Sequence, residues 1–195
     1  QTTTLTCDIG GSFTSLTNSW LTLQNGTFIY KRTDPPAGQD FTISTNSFSI
    51  PQTAALTINM PSNVNNARVL IGNATSDISD LFLNGALNII YGNVYIGPVS
   101  GTALSNNDIE YSGNYASLQI SGGNLRVNGQ IRRPTSTTNG SLNYNQTGGS
   151  VTINGLTSVV GSSLAATRSK LEVVNSGSVF NMSGTSTLTI VRGGG

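Results

Sequence analysis

One spacing of apolar residues recurs along this chain: apolar, any, apolar, two of any, glycine or asparagine, any, apolar, any, apolar. It is met at Leu21, Leu23, Gly26, Phe28 and Tyr30, and again at Phe41, Ile43, Asn46, Phe48 and Ile50. Further copies are Leu87, Ile89, Gly92, Val94, Ile96 and Leu118, Ile120, Gly123, Leu125, Val127. A weaker copy, Tyr144, Gln146, Gly149, Val151, Ile153, has Gln146 where an apolar residue belongs. A degenerate one runs from Leu171 and Val173 to Phe180 and Met182, and Leu188 and Ile190 open another.

Two apolar residues separated by one position lie on the same face of a short strand. Between two such strands the chain must bend, and Gly and Asn enter the left-handed region most cheaply. Gly26, Asn46, Gly92, Gly123 and Gly149 are therefore expected as corners. The clear copies start at 21, 41, 87, 118 and 144, intervals of 20, 46, 31 and 26 residues. The longest interval is read as hiding one coil, around Leu56, Ile58, Val69 and Ile71.

Such periods suit one turn of a solenoid. The expected fold is all-β, a right-handed parallel β-helix (β-solenoid) of about seven coils over residues 21–195. Residues 1–20, with Trp20, are expected to form an N-terminal cap or a first irregular coil. The alternative is a β-sandwich or jelly roll, which would show hairpin spacings that this chain lacks. Lys31 to Asp40, with Pro35 and Pro36, reads as an exposed loop. Ser163 to Thr167 is the one stretch with the character of a helical turn.

Composition narrows the function. Gly, Asn, Ser and Thr supply about half of the 195 residues, and charged residues only 9%, against about 25% in ordinary globular domains. The net charge of +1 provides no field for nucleic acid. No run approaches the roughly 18 apolar residues that cross a bilayer as a helix, so membrane insertion is not expected. A single cysteine, Cys7, excludes an internal disulfide and reads as a small buried side chain. The chain begins at Gln1 and stops at Gly195 just past a strand-like run, so both ends read as cut. It is expected to continue beyond residue 195, within a larger polypeptide.

Histidine is absent, which removes Ser-His-Asp triads, Cys-His pairs and imidazole metal sites together. Among eight acidic residues, two close pairs stand out: Asp77 with Asp80, and Asp108 with Glu110. Asp108 and Glu110 are expected to share an outward face. The plain reading of both pairs is a solvated face or a corner that binds backbone amides; the sharper one is a calcium site. No residue is assigned a catalytic role, and calcium is the only cofactor considered. Tyr91, Tyr95, Tyr111 and Tyr115 are expected to be exposed and are candidates for stacking on sugar rings, although β-propensity alone accounts for tyrosine here. Gly122-Gly123 and Gly148-Gly149 lack the helix and lysine of a phosphate loop and read as corners. Threonines do not repeat as Thr-x-Thr at the coil period, which counts against an ice-binding face.

Several phrases carry a resemblance. The chain reads NNDIEYS at Asn106–Ser112, GGNLRVNGQIRR at Gly122–Arg133, YNQTGGSVTING at Tyr144–Gly155 and MSGTSTLTIVRG at Met182–Gly193. This resembles the β-helical portions of very large secreted surface proteins of Bacteroidota, the kind exported by the type IX secretion system. The similarity runs from about residue 20 to the end. It implies an adhesin-like stalk at the cell surface, with the rest of a larger polypeptide, surface glycans or other cell-surface and secretion proteins as partners. It carries no catalytic residues to transfer.

Overall fold

The computed structural model describes residues 3–8, 21–32, 40–60, 67–73, 79–99, 107–155 and 169–191. Trp20, Pro35, Pro36, Asp77 and Ser163–Thr167 lie outside them, as does the side chain of Cys7. Among the described residues there is no helix, and therefore none long and apolar enough to cross a membrane.

The chain visits three parallel sheets in a fixed rotation. β1 (Thr4–Asp8) belongs to the first sheet. One circuit follows as β2 (Gly26–Lys31), β3 (Phe41–Ser44) and β4 (Phe48–Ile50), in the first, second and third sheets. The next is β5 (Ala54–Asn59), β6 (Arg68–Ile71) and β7 (Leu81–Leu83), and then β8 (Ala86–Tyr91), β9 (Asn93–Ile96) and β10 (Ile109–Glu110). The rotation continues through β11 (Ala116–Ile120), β12 (Asn124–Val127) and β13 (Ile131–Arg132). It closes with β14 (Leu142–Gln146), β15 (Ser150–Ile153), β16 (Val179–Met182) and β17 (Thr187–Ile190). The sheets hold seven, six and four strands, an arrangement consistent with a β-solenoid. Among the described residues every strand pairing is parallel, unlike the hairpins of a sandwich or jelly roll. The crossover that a parallel pair requires is supplied by the other two strands of the circuit.

Inward side chains stack in ranks. Leu5, Phe28, Leu56, Leu87, Leu118, Tyr144 and Phe180 share one register, so neighbouring strands of the first sheet are 23, 28, 31, 31, 26 and 36 residues apart. A single continuous core of Ile, Leu, Val, Phe and Tyr results. At its two ends the rank opens: Leu5 is 61% and Phe180 50% exposed, the latter stacked on Tyr144 at 5.1 Å between ring centres.

The recurring spacing marks three different corners. In the copies at Leu87, Leu118 and Tyr144 the glycine turns the chain from the first sheet into the second. Gly26 instead opens β2 of the first sheet, and Asn46 lies between the second and third. The start-to-start intervals of 20 and 46 residues therefore compare unlike positions. All three strand types share one apolar alternation, so the pattern is blind to which corner it spans. The hidden coil is present: Leu56 and Ile58 lie in β5, Val69 and Ile71 in β6.

Gly26, Gly92, Gly123 and Gly149 have positive φ, as expected; Asn46 does not, and Asn175 is the positive-φ non-glycine residue among those described. The bend at Asn46 is shaped differently, with the Ser44 hydroxyl donating to the Asn46 carbonyl at 2.8 Å. At Gly123 a second constraint joins the first. A Cβ there would lie 2.3 Å from the Gly92 carbonyl oxygen, and one at Gly149 equally close to that of Gly123. The stacked corner thus excludes side chains by contact as well as by conformation.

Gln146, which interrupts the apolar pattern, still points inward and is fully buried. Its amide accepts from the Tyr144 hydroxyl at 2.7 Å and donates to the Gly149 and Thr187 carbonyls. A core position thus tolerates an amide because each polar group has a partner.

Candidate functional site

The outward positions of the sheets carry the chemistry, and they divide by sheet. Seven of the chain's 17 charged residues gather on or beside the outer face of the third sheet: Asp80, Asp108, Glu110, Arg132, Arg133, Lys170 and Glu172.

Asp80, Asp108 and Gln130 stand immediately before β7, β10 and β13, stacked in one rank above Ser47. Each backbone N–H in this rank donates to the side chain of the circuit below. Asp80 N–H reaches Ser47 Oγ at 3.0 Å, Asp108 N–H reaches Asp80 Oδ1 at 2.8 Å, and Gln130 N–H reaches Asp108 Oδ1 at 2.7 Å. Asp108 and Glu110 lie on one side of the chain, and Asp108, read as outward, is buried at 1% exposure. Both meet one cation. Arg132 Nε donates to Asp108 Oδ2 at 2.6 Å, and its Nη2 lies 2.7 Å from Glu110 Oε1. Arg133 and Lys170 hold the two oxygens of Glu172 at 2.7 and 2.5 Å.

Burial and crowding set the protonation of this cluster. Asp80 is pushed up to about 6, first by burial and then by the Asp108 and Glu110 carboxylates; the Asp108 amide and Arg132 pull the other way. Burial also raises Asp108 and Glu110, opposed in each case by Arg132. For Glu172, burial acts upward, but hydrogen bonds from Lys170 and Arg133 prevail and hold it below the usual range. Among the described residues no group of three or more Asp, Glu, Cys or His side chains is arranged to hold a metal. The acids converge on arginine and backbone amides rather than on an open cavity.

The outer face of the first sheet is different. From β5 to β16 its outward positions carry Ala, Ser, Thr, Asn, Gln, Ile and Val, with no charged side chain. Its central rank is Thr57, Asn88, Gln119, Asn145 and Asn181. Asn88 Nδ2 donates to Thr57 Oγ1 at 3.1 Å, Asn145 Nδ2 to Gln119 Oε1 at 2.8 Å, and Asn181 Nδ2 to Asn145 Oδ1 at 2.6 Å. A groove of about 290 Å³ lies along this ladder.

The four tyrosines separate. Tyr111 is not exposed: it points inward, fully buried, and its hydroxyl donates to the Glu172 carbonyl at 2.6 Å. It follows the outward Glu110 by one residue, so the alternation of the strand turns it into the core. Tyr95 is half-buried on the second sheet between Arg68 and Arg126, whose guanidinium carbons stand 5.6 and 5.4 Å from the ring centre. Asp40 in turn grips Arg68 with both carboxylate oxygens, at 2.7 and 2.8 Å. Tyr91 and Tyr115 are 51% and 65% exposed, at opposite margins of the first sheet. A larger groove, about 750 Å³, runs across three stacked corners beside Tyr115 and includes Asn114, Asn139 and Asn175.

Arg132 and the amide rank were not singled out by the sequence. The available signal was position: each lies at a fixed offset from an inward pair, once the pairs are aligned by sheet.

No protein-family model, curated protein or solved structure matches this chain.

Proposed function

We propose that the chain is a non-catalytic structural and adhesive segment of a large secreted cell-surface protein. It is read as a right-handed parallel β-helix of about seven coils, giving a length near 35 Å at about 4.8 Å per coil. In this role it is a rigid stalk or binding surface, outside the cell, continuous with the rest of a larger polypeptide. The observation that carries the reading is the treatment of the carboxylates. Asp80, Asp108, Glu110 and Glu172 are occupied by arginine, lysine and backbone amides. A glycosidase needs two carboxyl groups facing a substrate across a fixed gap. The grooves beside the first sheet are instead lined by amides and hydroxyls, joined in the smaller one by Ile89, Ile90 and Ile120, and by no carboxylate. The low charge and stacked in-register strands suit a spacer, in which each coil supports its neighbours.

The test is incubation of the purified chain with a panel of plant, fungal and bacterial polysaccharides, assaying reducing ends and unsaturated products. No release is expected from any of them. Turnover that survives repurification, and is lost on Asp80→Asn or Glu110→Gln substitution, overturns the reading.

A further inference from the structure

We infer that the outer face of the first sheet is a binding strip for an uncharged polysaccharide, with Tyr91 and Tyr115 as its aromatic contacts. The inference rests on the adhesive part of the function proposed above and names its ligand class.

The strip has three properties. First, it is free of charge from β5 to β16, a span of about 19 Å at about 4.8 Å per strand, in a chain whose other two sheets both carry ion pairs outward. A charged ligand would find no counter-ion there, and a neutral one would have no charged group to desolvate. Second, the face is ordered in advance: Asn88 and Asn145 donate to their neighbours on the next strand, Thr57 and Gln119, and Gln119 donates to Ser117 Oγ on its own strand. Each amide nitrogen has two N–H groups and these bonds use one, so a row of donors at strand spacing remains for hydroxyl ligands. Third, exposed rings bound the face. One side of Tyr91 rests against Gly122, where a Cβ would come within 3.1 Å of ring carbons Cδ1 and Cε1, and half of the residue is open to solvent. Tyr115 stands at the other margin, next to the larger polar groove. A rigid ring with an open face beside ordered amides is what the alternating apolar faces and hydroxyl edges of a sugar require.

The other clusters carry less. The third-sheet acids are consumed by Arg132 and amides, and the buried Asn107 and Asn128 oxygens lacking partners are closed off from solvent.

Affinity electrophoresis of the whole chain tests the inference. Gels would contain mannan, laminarin, xyloglucan or galactan, with polygalacturonate and heparin as charged counterparts, at about 0.15 M salt. Retardation is expected in at least one neutral gel and in neither charged one. In that gel Tyr91→Ala and Tyr115→Ala should each weaken binding at least about fivefold, and Gln119→Lys should do so without changing the melting temperature by more than a few degrees. Thr189→Ala, on the second sheet, should bind as the parent does. Absence of retardation in every neutral gel overturns the strip, as does retention unaffected by the two tyrosine substitutions. A chain that binds no gel and also releases no reducing ends loses the strip and keeps the stalk, so the two failures are distinguishable.

Discussion

The first and third sheets have the same backbone, the same strand spacing and opposite outer faces. In an in-register parallel stack, each outward position faces its own counterpart about 4.8 Å away. Amides suit that geometry at any length, because each offers both a donor and an acceptor. Two stretches of the rank are built this way, Thr57 with Asn88 and Gln119 through Asn145 to Asn181. Charges do not: a repeated sign repels, so a charged rank must alternate or be neutralised from beside. The third sheet does both. Glu110, Arg132 and Glu172 alternate along one rank, while Asp80 and Asp108 are consecutive acids steadied by amides and by Arg132. One face gains order from neutral pairing; the other depends on a few cations.

That contrast can be broken most sharply at Arg132. Arg132→Ala leaves Asp108 buried without its cation, and about 3 kcal/mol or more of stability should be lost in urea unfolding at pH 7. A loss below about 1 kcal/mol would mean that the backbone amides alone hold Asp108.

Acidity separates the faces next. Asp80 has a folded pKa of about 6, above its ordinary 3.8. The folded chain therefore holds this proton more tightly than the unfolded one. Its stabilising contribution is complete below about 3.8 and is lost as pH rises through about 6. Asp108 and Glu110 act in the same direction. Glu172 acts oppositely, but below its ordinary 4.5. The melting temperature should rise by a few degrees, at about 2–4 °C per kcal/mol, when pH falls from 7.5 to 5.5. Asp80→Asn keeps an acceptor for Asp108 N–H and should both raise the melting temperature at pH 7.5 and flatten this dependence. An unchanged slope would place the titration elsewhere.

On the neutral face, Gln119→Ala should cost about 1 kcal/mol, with no dependence on pH between 5.5 and 7.5. Because Gln119 and Asn145 are bonded to each other, the double substitution should cost less than the sum of the singles by roughly 0.5 kcal/mol or more. Strict additivity would show that the ladder is an ornament of the sheet rather than a support. The smallest effect is expected at Lys170. It is 46% exposed, and Lys170→Ala should shift stability by no more than about 0.5 kcal/mol in calorimetry.

Much of the fold was legible because inward positions repeat. Leu87, Ile89, Val94 and Ile96 announce two strands and the glycine between them, and the same holds at Leu118 and Tyr144. Legibility failed where the spacing is degenerate. Phe41 to Ile50 obeys the same pattern but spans a different corner, so Asn46 was expected to take a conformation it does not adopt. Tyr111 was misplaced for a related reason. It reads as one more β-forming tyrosine, yet the parity of the strand after Glu110 turns it inward. The candidate site was less legible still, since Arg132 lies more than 20 residues beyond Asp108 and Glu110 and meets them only through stacking.

By itself the sequence determined an all-β chain with short strands, glycine corners and little charge, because alternation and left-handed backbone are local properties of a few neighbouring residues. Which strand lies above which was decided by the tertiary structure. In the first sheet the distance between stacked positions varies from 23 to 36 residues, so no fixed period marks them, and corner insertions absorb the difference. Stacking alone aligned the amides into ranks, brought Asp108 and Glu110 to one arginine and left the first sheet without outward charge from β5 to β16.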